Sequence, residues 1–264
     1  MNARYFNPTL SLVLFLFLAS MACAGSDQPT PLPTQAPTDT PLPEPTATAT
    51  SEPTNTPEPT ATPDIAATKF VEDAARRVQK YVEKGYLPGT DGTLHALDDY
   101  RREMAQINYI DVDFAGFEDK ITNFAVRGHV KWQSAAKVNY PEFSGCGFAY
   151  RFQDNGDGYT VFISSEAIVM YYCDSSIGRC GRLGTTRGKG TLDFTEPAEA
   201  DLELVVKDDH AYVLVNDQFI GEYTLFKERL REPGYLIYSI ISGTNKDYGT
   251  RCEITDAALW VSEP

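Results

Sequence analysis

From residue 107 onward apolar and polar positions alternate. Cys146, Phe148, Tyr150 and Phe152 are separated by Gly147, Ala149, Arg151 and Gln153, a two-residue period that puts the first set on one apolar strand face. Asp154-Asn-Gly-Asp-Gly158 follows, a run of residues that tolerate positive φ and bond their own backbone, as a hairpin turn requires. Tyr159, Val161 and Ile163 resume the alternation. Phe124, Val126, Gly128, Val130 and Trp132 repeat it, as do Leu202, Leu204 and Val206, then Ala211, Val213 and Val215. Strands are predicted over 107–113, 123–134, 145–153, 158–164, 167–173, 201–207, 210–216, 234–241 and 250–261. Spacings are short, turns carry Gly, Asn and Asp, and no helical stripe intervenes. Residues 107–264 therefore read as a mainly β domain, an antiparallel β-sandwich or jelly roll.

Upstream the period changes. Thr62-Pro-Asp64 offers a hydroxyl cap and a proline for a first helical turn. Phe70, Val71, Ala74, Val78, Tyr81 and Val82 then recur at three and four, and Gly85 is placed to end the helix. After a turn at Leu87-Pro-Gly-Thr-Asp-Gly92, the residues Leu94, Leu97, Tyr100, Met104 and Ile107 mark a second helix. Asp98, Asp99, Arg101, Arg102 and Glu103 read as its solvated face. Residues 65–106 are thus expected to form a short helical pair, packed on the strands as a cap or free to dock another protein.

The first 64 residues do not read as a folded unit. Arg4 precedes the apolar run Leu12-Val-Leu-Phe-Leu-Phe-Leu-Ala19, which is short for a bilayer and suits a signal peptide over 1–22. Ser20-Met-Ala22 places small residues before a cut at Cys23, which resembles the lipid-modified cysteine of bacterial lipoproteins. Ser20 departs from that pattern, where Leu is usual, and the same residues also suit ordinary cleavage and secretion. Between Ala24 and Asp64 lie eleven prolines among threonine, alanine and acid. Such a segment cannot bury a core. It reads as a semi-rigid stalk of roughly 3 Å per residue. Lipid anchoring at Cys23 and exposure on the outer face of the cell membrane follow as expectations, with plain secretion as the alternative.

The formal net charge of −14 disfavours nucleic acid and anionic lipid surfaces as partners, leaving a lipid anchor as the expected membrane contact. Past Cys23 the cysteines are 146, 173, 180 and 252, which admit three pairings. Cys173–Cys180 is favoured because it closes a short loop, leaving Cys146–Cys252, whose faces both carry apolar neighbours. A zinc site is the rival, without a Cys-x-x-Cys and with only three histidines to support it.

Gly145-Cys-Gly-Phe-Ala-Tyr-Arg-Phe152, Tyr159-Thr-Val-Phe-Ile163, Ala211-Tyr-Val-Leu-Val-Asn216 and Gly249-Thr-Arg-Cys-Glu-Ile-Thr-Asp-Ala-Ala-Leu-Trp-Val261 occur in the order seen in concanavalin A-like jelly rolls, and the chain resembles that family over 107–264. These are the laminin G-like and lectin/glucanase domains, including modules of bacterial surface lipoproteins. The resemblance implies the sandwich fold. Such domains bind glycans, bind proteins or cleave polysaccharides.

The glucanase branch carries Glu-x-Asp-x-Glu on one strand, so that two acids flank the glycosidic bond. This sequence lacks it; Asp111-Val-Asp113 and Glu253-Ile-Thr-Asp256 do not reproduce it, and no catalytic residue is assigned. Asp154-Asn-Gly-Asp157 clusters oxygens that calcium could use, without EF-hand spacing, and no cofactor or metal is assigned. Two features could hold a ligand. Arg127, His129, Lys131, Arg151 and Gln153 are expected on one outward polar sheet face. The stretch 178–190 is expected to be a glycine-rich basic loop, where Arg179, Arg182, Arg187 and Lys189 could pair with anionic sugar groups while Tyr171 and Tyr172 stack on a ring. The expected function is a non-catalytic module binding polysaccharide or glycoconjugate. A glycoside hydrolase of the same fold and a structural or protein-interaction module are the alternatives.

Overall fold

The computed structural model describes residues 65–137, 143–164, 167–187 and 196–263. The expected signal peptide, Cys23, the expected stalk, the expected cap at Thr62-Pro-Asp64 and Lys189 lie outside the described residues.

One helix, α1 (Ile65–Glu83), precedes the strands. Gly85 ends it at φ +75, a left-handed conformation that a side chain would strain. Gly85 N–H bonds Val82 O at 2.9 Å and Tyr86 N–H bonds Tyr81 O at 2.8 Å, the paired bonds of a Schellman cap.

The strands are β1 (Gly92–Ala96), β2 (Tyr100–Met104), β3 (Tyr109–Phe114), β4 (Phe124–Ser134), β5 (Gly145–Phe152), β6 (Gly158–Ser164), β7 (Ala167–Asp174), β8 (Arg179–Arg187), β9 (Ala198–Lys207), β10 (His210–Val215), β11 (Gln218–Thr224), β12 (Tyr235–Ser242) and β13 (Thr250–Ser262). They form two antiparallel sheets packed as a sandwich. Sheet A runs β1-β13-β4-β9-β10-β11, with β2 also paired to β13, and sheet B runs β3-β12-β5-β6-β7-β8. Phe124, Val126, Val130 and Trp132 from sheet A meet Phe148, Tyr150, Val161 and Ile163 from sheet B in one core. The Cys146–Cys252 bridge crosses that core from β5 to β13, and Cys173–Cys180 joins β7 to β8. In the chain-entropy account, closing a loop of this length contributes about 4–5 kcal/mol. Two disulfides are the pattern of an exported protein. Among the described residues no helix is long and apolar enough to cross a membrane.

The second expected helix is instead β1 and β2. Strand β13 is long enough to pair Gly92–Ala96 with its C-terminal half and Tyr100–Met104 with its N-terminal half. Positions four apart share a face in a strand as well as in a helix, so the spacing of Tyr100 and Met104 satisfies both, and the open side of β13 decides. The charges expected on a helix face make cross-strand pairs, Arg101 with Glu253 at 3.0 Å and Glu103 with Arg251 at 2.7 Å.

Arg151 is also corrected. It is expected to face outward, yet only 1% of it is exposed. At φ +51 it forms a bulge opposite Leu236, where the register with β12 shifts, and this breaks the alternation. The guanidinium turns into the end of the sandwich. It donates to Thr122 O at 3.1 Å, Asp208 O at 2.6 Å, Arg231 O at 2.5 Å and Leu230 O at 3.4 Å. Burial lowers its pKa from the ordinary arginine value. Each buried carbonyl left without its donor costs about 1–3 kcal/mol. Arg151→Met is therefore expected to lower the unfolding free energy by about 3 kcal/mol or more, read by urea denaturation. Arg151→Lys should recover less than half, because a point-like ammonium cannot span the four acceptors. An unchanged midpoint in Arg151→Met would refute the assignment.

Candidate functional site

The ladder of sheet B aligns one residue from each strand in a row: Phe114, Ile237, Ala149, Thr160, Tyr171 and Arg182. Directly opposed residues in antiparallel strands share a face. This is the face away from the core, since Tyr150, Tyr159, Met170 and Tyr238 beside the row belong to the core. A second row, Val112, Ser239, Gly147, Phe162, Val169 and Thr185, runs parallel to the first. The floor in the middle is small, with Ala149 and Gly147 on β5. Arg182 and Phe114 at the two ends are exposed, whereas Ile237, Ala149, Thr160 and Tyr171 between them are buried. Phe143 stacks on Tyr171, with ring centroids 6.5 Å apart. Thr160 Oγ1 is buried without a hydrogen-bond partner among the described residues.

At the Phe114 end the face opens into a pocket of about 250 Å³, lined by Val112, Asp113, Phe114, Gln153, Asp154 and Tyr235 among others. Phe114 is 62% exposed and meets Tyr235 edge to face at 6.1 Å. Lys120 Nζ sits 4.8 Å from the Tyr235 ring centre and pairs with Asp154 at 2.9 Å. The Lys120 hydrogen bond and charge hold the Asp154 carboxyl below its ordinary pKa. Gln153 is oriented by bonds to Arg151 O and Pro233 O, each 3.2 Å. Gly234 lies against the Arg151 backbone so closely that a Cβ there would sit 2.4 Å from Arg151 C. The pocket is thus built on the Arg151 bulge, which aims Phe152 and Gln153 toward it. Accessible rings beside carboxylates and an amide can pack against the apolar face of a sugar ring, while the carboxylates and the amide oxygen accept from its hydroxyls.

The structure separates the residues singled out in the sequence. The stretch expected as a basic loop is the edge strand β8 through Arg187, because it pairs with β7 from Ala167 to Asp174. Tyr171 and Tyr172 point to opposite faces. Tyr171 packs with Phe162 on the outer face, and Tyr172 packs toward the core beside Phe226 and under Lys227, whose Nζ is 4.5 Å from the ring centre. Of the expected cations, Arg182 shares the outer face with Tyr171, Arg179 stands opposite Asp174 and Arg187 opposite Ala167. Arg151, buried, gives its guanidinium to backbone carbonyls and stands apart from these cations. Asp157, the last residue of the expected calcium cluster, accepts from Ser175 N at 2.6 Å and from Asn155 Nδ2 at 3.1 Å.

The expected polar face is divided too. Arg127, His129 and Lys131 lie on β4 in sheet A, away from Arg151 and Gln153 in sheet B. They are matched by acids of β9: Arg127 with Asp201 at 2.5 Å, Lys131 with Glu199 at 3.6 Å, and His129 between Asp201 at 3.0 Å and Glu199 at 2.8 Å. The rings at Phe114 and Tyr235 were not singled out from sequence; Tyr235 sits just past Pro233-Gly234, a turn signal that pointed to them.

No protein-family model matches the chain and no curated protein matches it in sequence. In three dimensions it is similar to a carbohydrate-binding module (CBM66) from Bacillus subtilis, with 6% identity, 64% of this chain and 96% of that one covered, and a TM-score of 0.44. It is similar to sheep galectin-11, with 10% identity, 58% and 98% covered, and a TM-score of 0.36. A fructosyltransferase from A. japonicus aligns over 69% of this chain and 28% of its own, at 12% identity and a TM-score of 0.43. These likenesses describe strand arrangement.

The acids around His129 raise its pKa above the ordinary 6.5, led by the hydrogen bond to Asp201. A group whose pKa rises on folding stabilises the fold below its unfolded value, and that contribution disappears as pH climbs through the folded value. The stability gap between the parent and His129→Gln should therefore be larger at pH 6 than at pH 8.5, measured by urea denaturation at both. A gap independent of pH would remove His129 from the network.

Proposed function

We propose that the chain is an exported, surface-held module that binds glycan in the pocket at the Phe114 end of sheet B and does not cleave it. The observation that supports this most directly is the ring pair of exposed Phe114 and half-buried Tyr235, set beside Asp113, Gln153 and Asp154 in one open pocket. Hydrolysis by a paired-carboxyl mechanism needs one carboxyl kept protonated. Asp154, held low by Lys120, is unsuited to that role. In this reading Cys23 carries the lipid anchor and the proline-threonine segment is the spacer. Cys23→Ala should move the protein from the membrane fraction into the medium; retention in the membrane would refute the anchor.

The binding test incubates the intact chain with soluble and insoluble polysaccharides, measuring protein retained and reducing ends released. Retention without release is expected for at least one sugar class. Tyr235→Ala and Phe114→Ala should each weaken it about tenfold, the order of one lost aromatic contact. If Arg182→Ala abolishes retention and the ring variants do not, the basic edge is the site instead. Release of reducing ends by pure protein, lost in a carboxylate variant, would replace the binding module with a hydrolase.

A further inference from the structure

A second cavity lies on the opposite side of the sandwich. Helix α1 rests on the outer face of sheet A, where Val78 and Tyr81 pack with Ala125, Val205 and Leu214. Beside that contact is a cleft of about 440 Å³. Its walls are apolar, built by Phe70, Val78 and Tyr81 from the helix and by Leu94, Ala125 and Trp260 from the sheet. This size is in the range of small-molecule sites, roughly 300–1,000 Å³.

The charges at the cleft are unequal in their commitments. Arg77 is engaged, with Nη1 2.6 Å from Glu203 and 2.8 Å from Asp217. Tyr81 Oη donates to the other Glu203 oxygen, and Asp73 pairs with Arg76. Arg127 is only partly engaged. Its Nη2 is bonded to Asp201, and its Nε, with Glu203 Oε1 no nearer than 3.9 Å, has no hydrogen-bond partner among the described residues. Lys69, exposed at the same cleft, has no ion-pair partner among the described residues. Asp256, an exposed acid on the sheet side, likewise has none.

We infer that this cleft binds a small amphipathic monocarboxylate, its apolar body against Phe70, Leu94 and Trp260 and its carboxylate on Arg127, with Lys69 nearby. A guanidinium with a spare N–H suits a carboxylate acceptor. Asp256 stands against ligands of higher negative charge. Half of the named apolar wall is α1, so an occupied cleft must also stabilise the docked helix. The site is independent of the sheet B pocket and stands whether or not that pocket binds sugar.

Trp260 lines the cleft while Trp132 is buried in the core, so tryptophan emission reports on occupancy. The intact chain is titrated with octanoate, octanamide and the dicarboxylate suberate. Octanoate should give a saturable shift, at least tenfold tighter than the other two, and should slow amide exchange in residues 65–83. The shift should vanish in Trp260→Phe. Arg127→Gln should weaken octanoate about tenfold without changing octanamide. Ala74→Leu, which fills the cleft from the helix and touches no charge, should abolish binding at unchanged circular dichroism, and it decides the matter if Arg127→Gln does not fold. Absence of a saturable octanoate shift up to about 1 mM overturns the site. Equal affinity for octanoate and octanamide overturns its carboxylate specificity.

Discussion

A buried cation fixes one end of this sandwich. Arg151 takes no carboxylate by hydrogen bond; it gathers backbone carbonyls from the segment before β4, the β9–β10 turn and the short turn at Glu228–Leu230 that precedes β12. Those segments connect strands of both sheets. Carbonyls buried at strand ends would otherwise go unpaired, and a planar guanidinium can serve several in a fixed fan. The same residue bulges β5, and the bulge sets Phe152 and Gln153 beside Tyr235. Fold and pocket therefore depend on one local departure from strand geometry.

Most of the sandwich was legible as alternation, because β4, β9, β10 and β13 each bury one face in the core and the other less completely. Legibility failed where another constraint intervened. The bulge at Arg151 keeps the sequence pattern while turning the side chain inward. Tyr100 and Met104 have a spacing that a helix and a strand both accept, while the three-residue steps at Leu94, Leu97 and Tyr100 read as helical because they cross the break between β1 and β2. The basic stretch looked like a loop because of its glycines, yet Gly181 and Gly184 are paired opposite Tyr172 and Met170. A small residue there lets large rings on the neighbouring elements approach: a Cβ at Gly181 would lie 2.6 Å from the Tyr172 ring.

The outer face of sheet B was missed for a related reason. A strand covered on both sides loses its alternation and reads as an apolar run. Tyr159-Thr-Val-Phe-Ile163 and Ala167-Ile-Val-Met-Tyr171 are such runs, and every position in them is buried. That signal marked a second apolar surface. Reading Arg151 and Gln153 together with Arg127, His129 and Lys131 as one polar face concealed it.

The two outer faces solve burial differently. On sheet A, Glu203 is 1% exposed, and a carboxylate so placed is tolerable only with close donors. Tyr81 and Arg77, four residues apart on one side of α1, provide them. Their spacing matches one helical turn, so the helix and the buried acid specify each other's position. Burial and the negative charge of Glu203 push the Tyr81 hydroxyl well above its ordinary pKa, so it remains a donor across the physiological range. Arg127 lies at the margin of this network, 3.9 Å from Glu203, and is left with an unmatched N–H beside an apolar cleft. On sheet B the residues of the rows between the ends carry no carboxylate, and the charges sit at the ends, Arg182 on one edge and Asp113 and Asp154 on the other. The middle of the row is closed to solvent, so what sheet B leaves open on this side is the pocket at its Phe114 end, where Phe114 and the half-buried Tyr235 stand beside Asp113, Gln153 and Asp154.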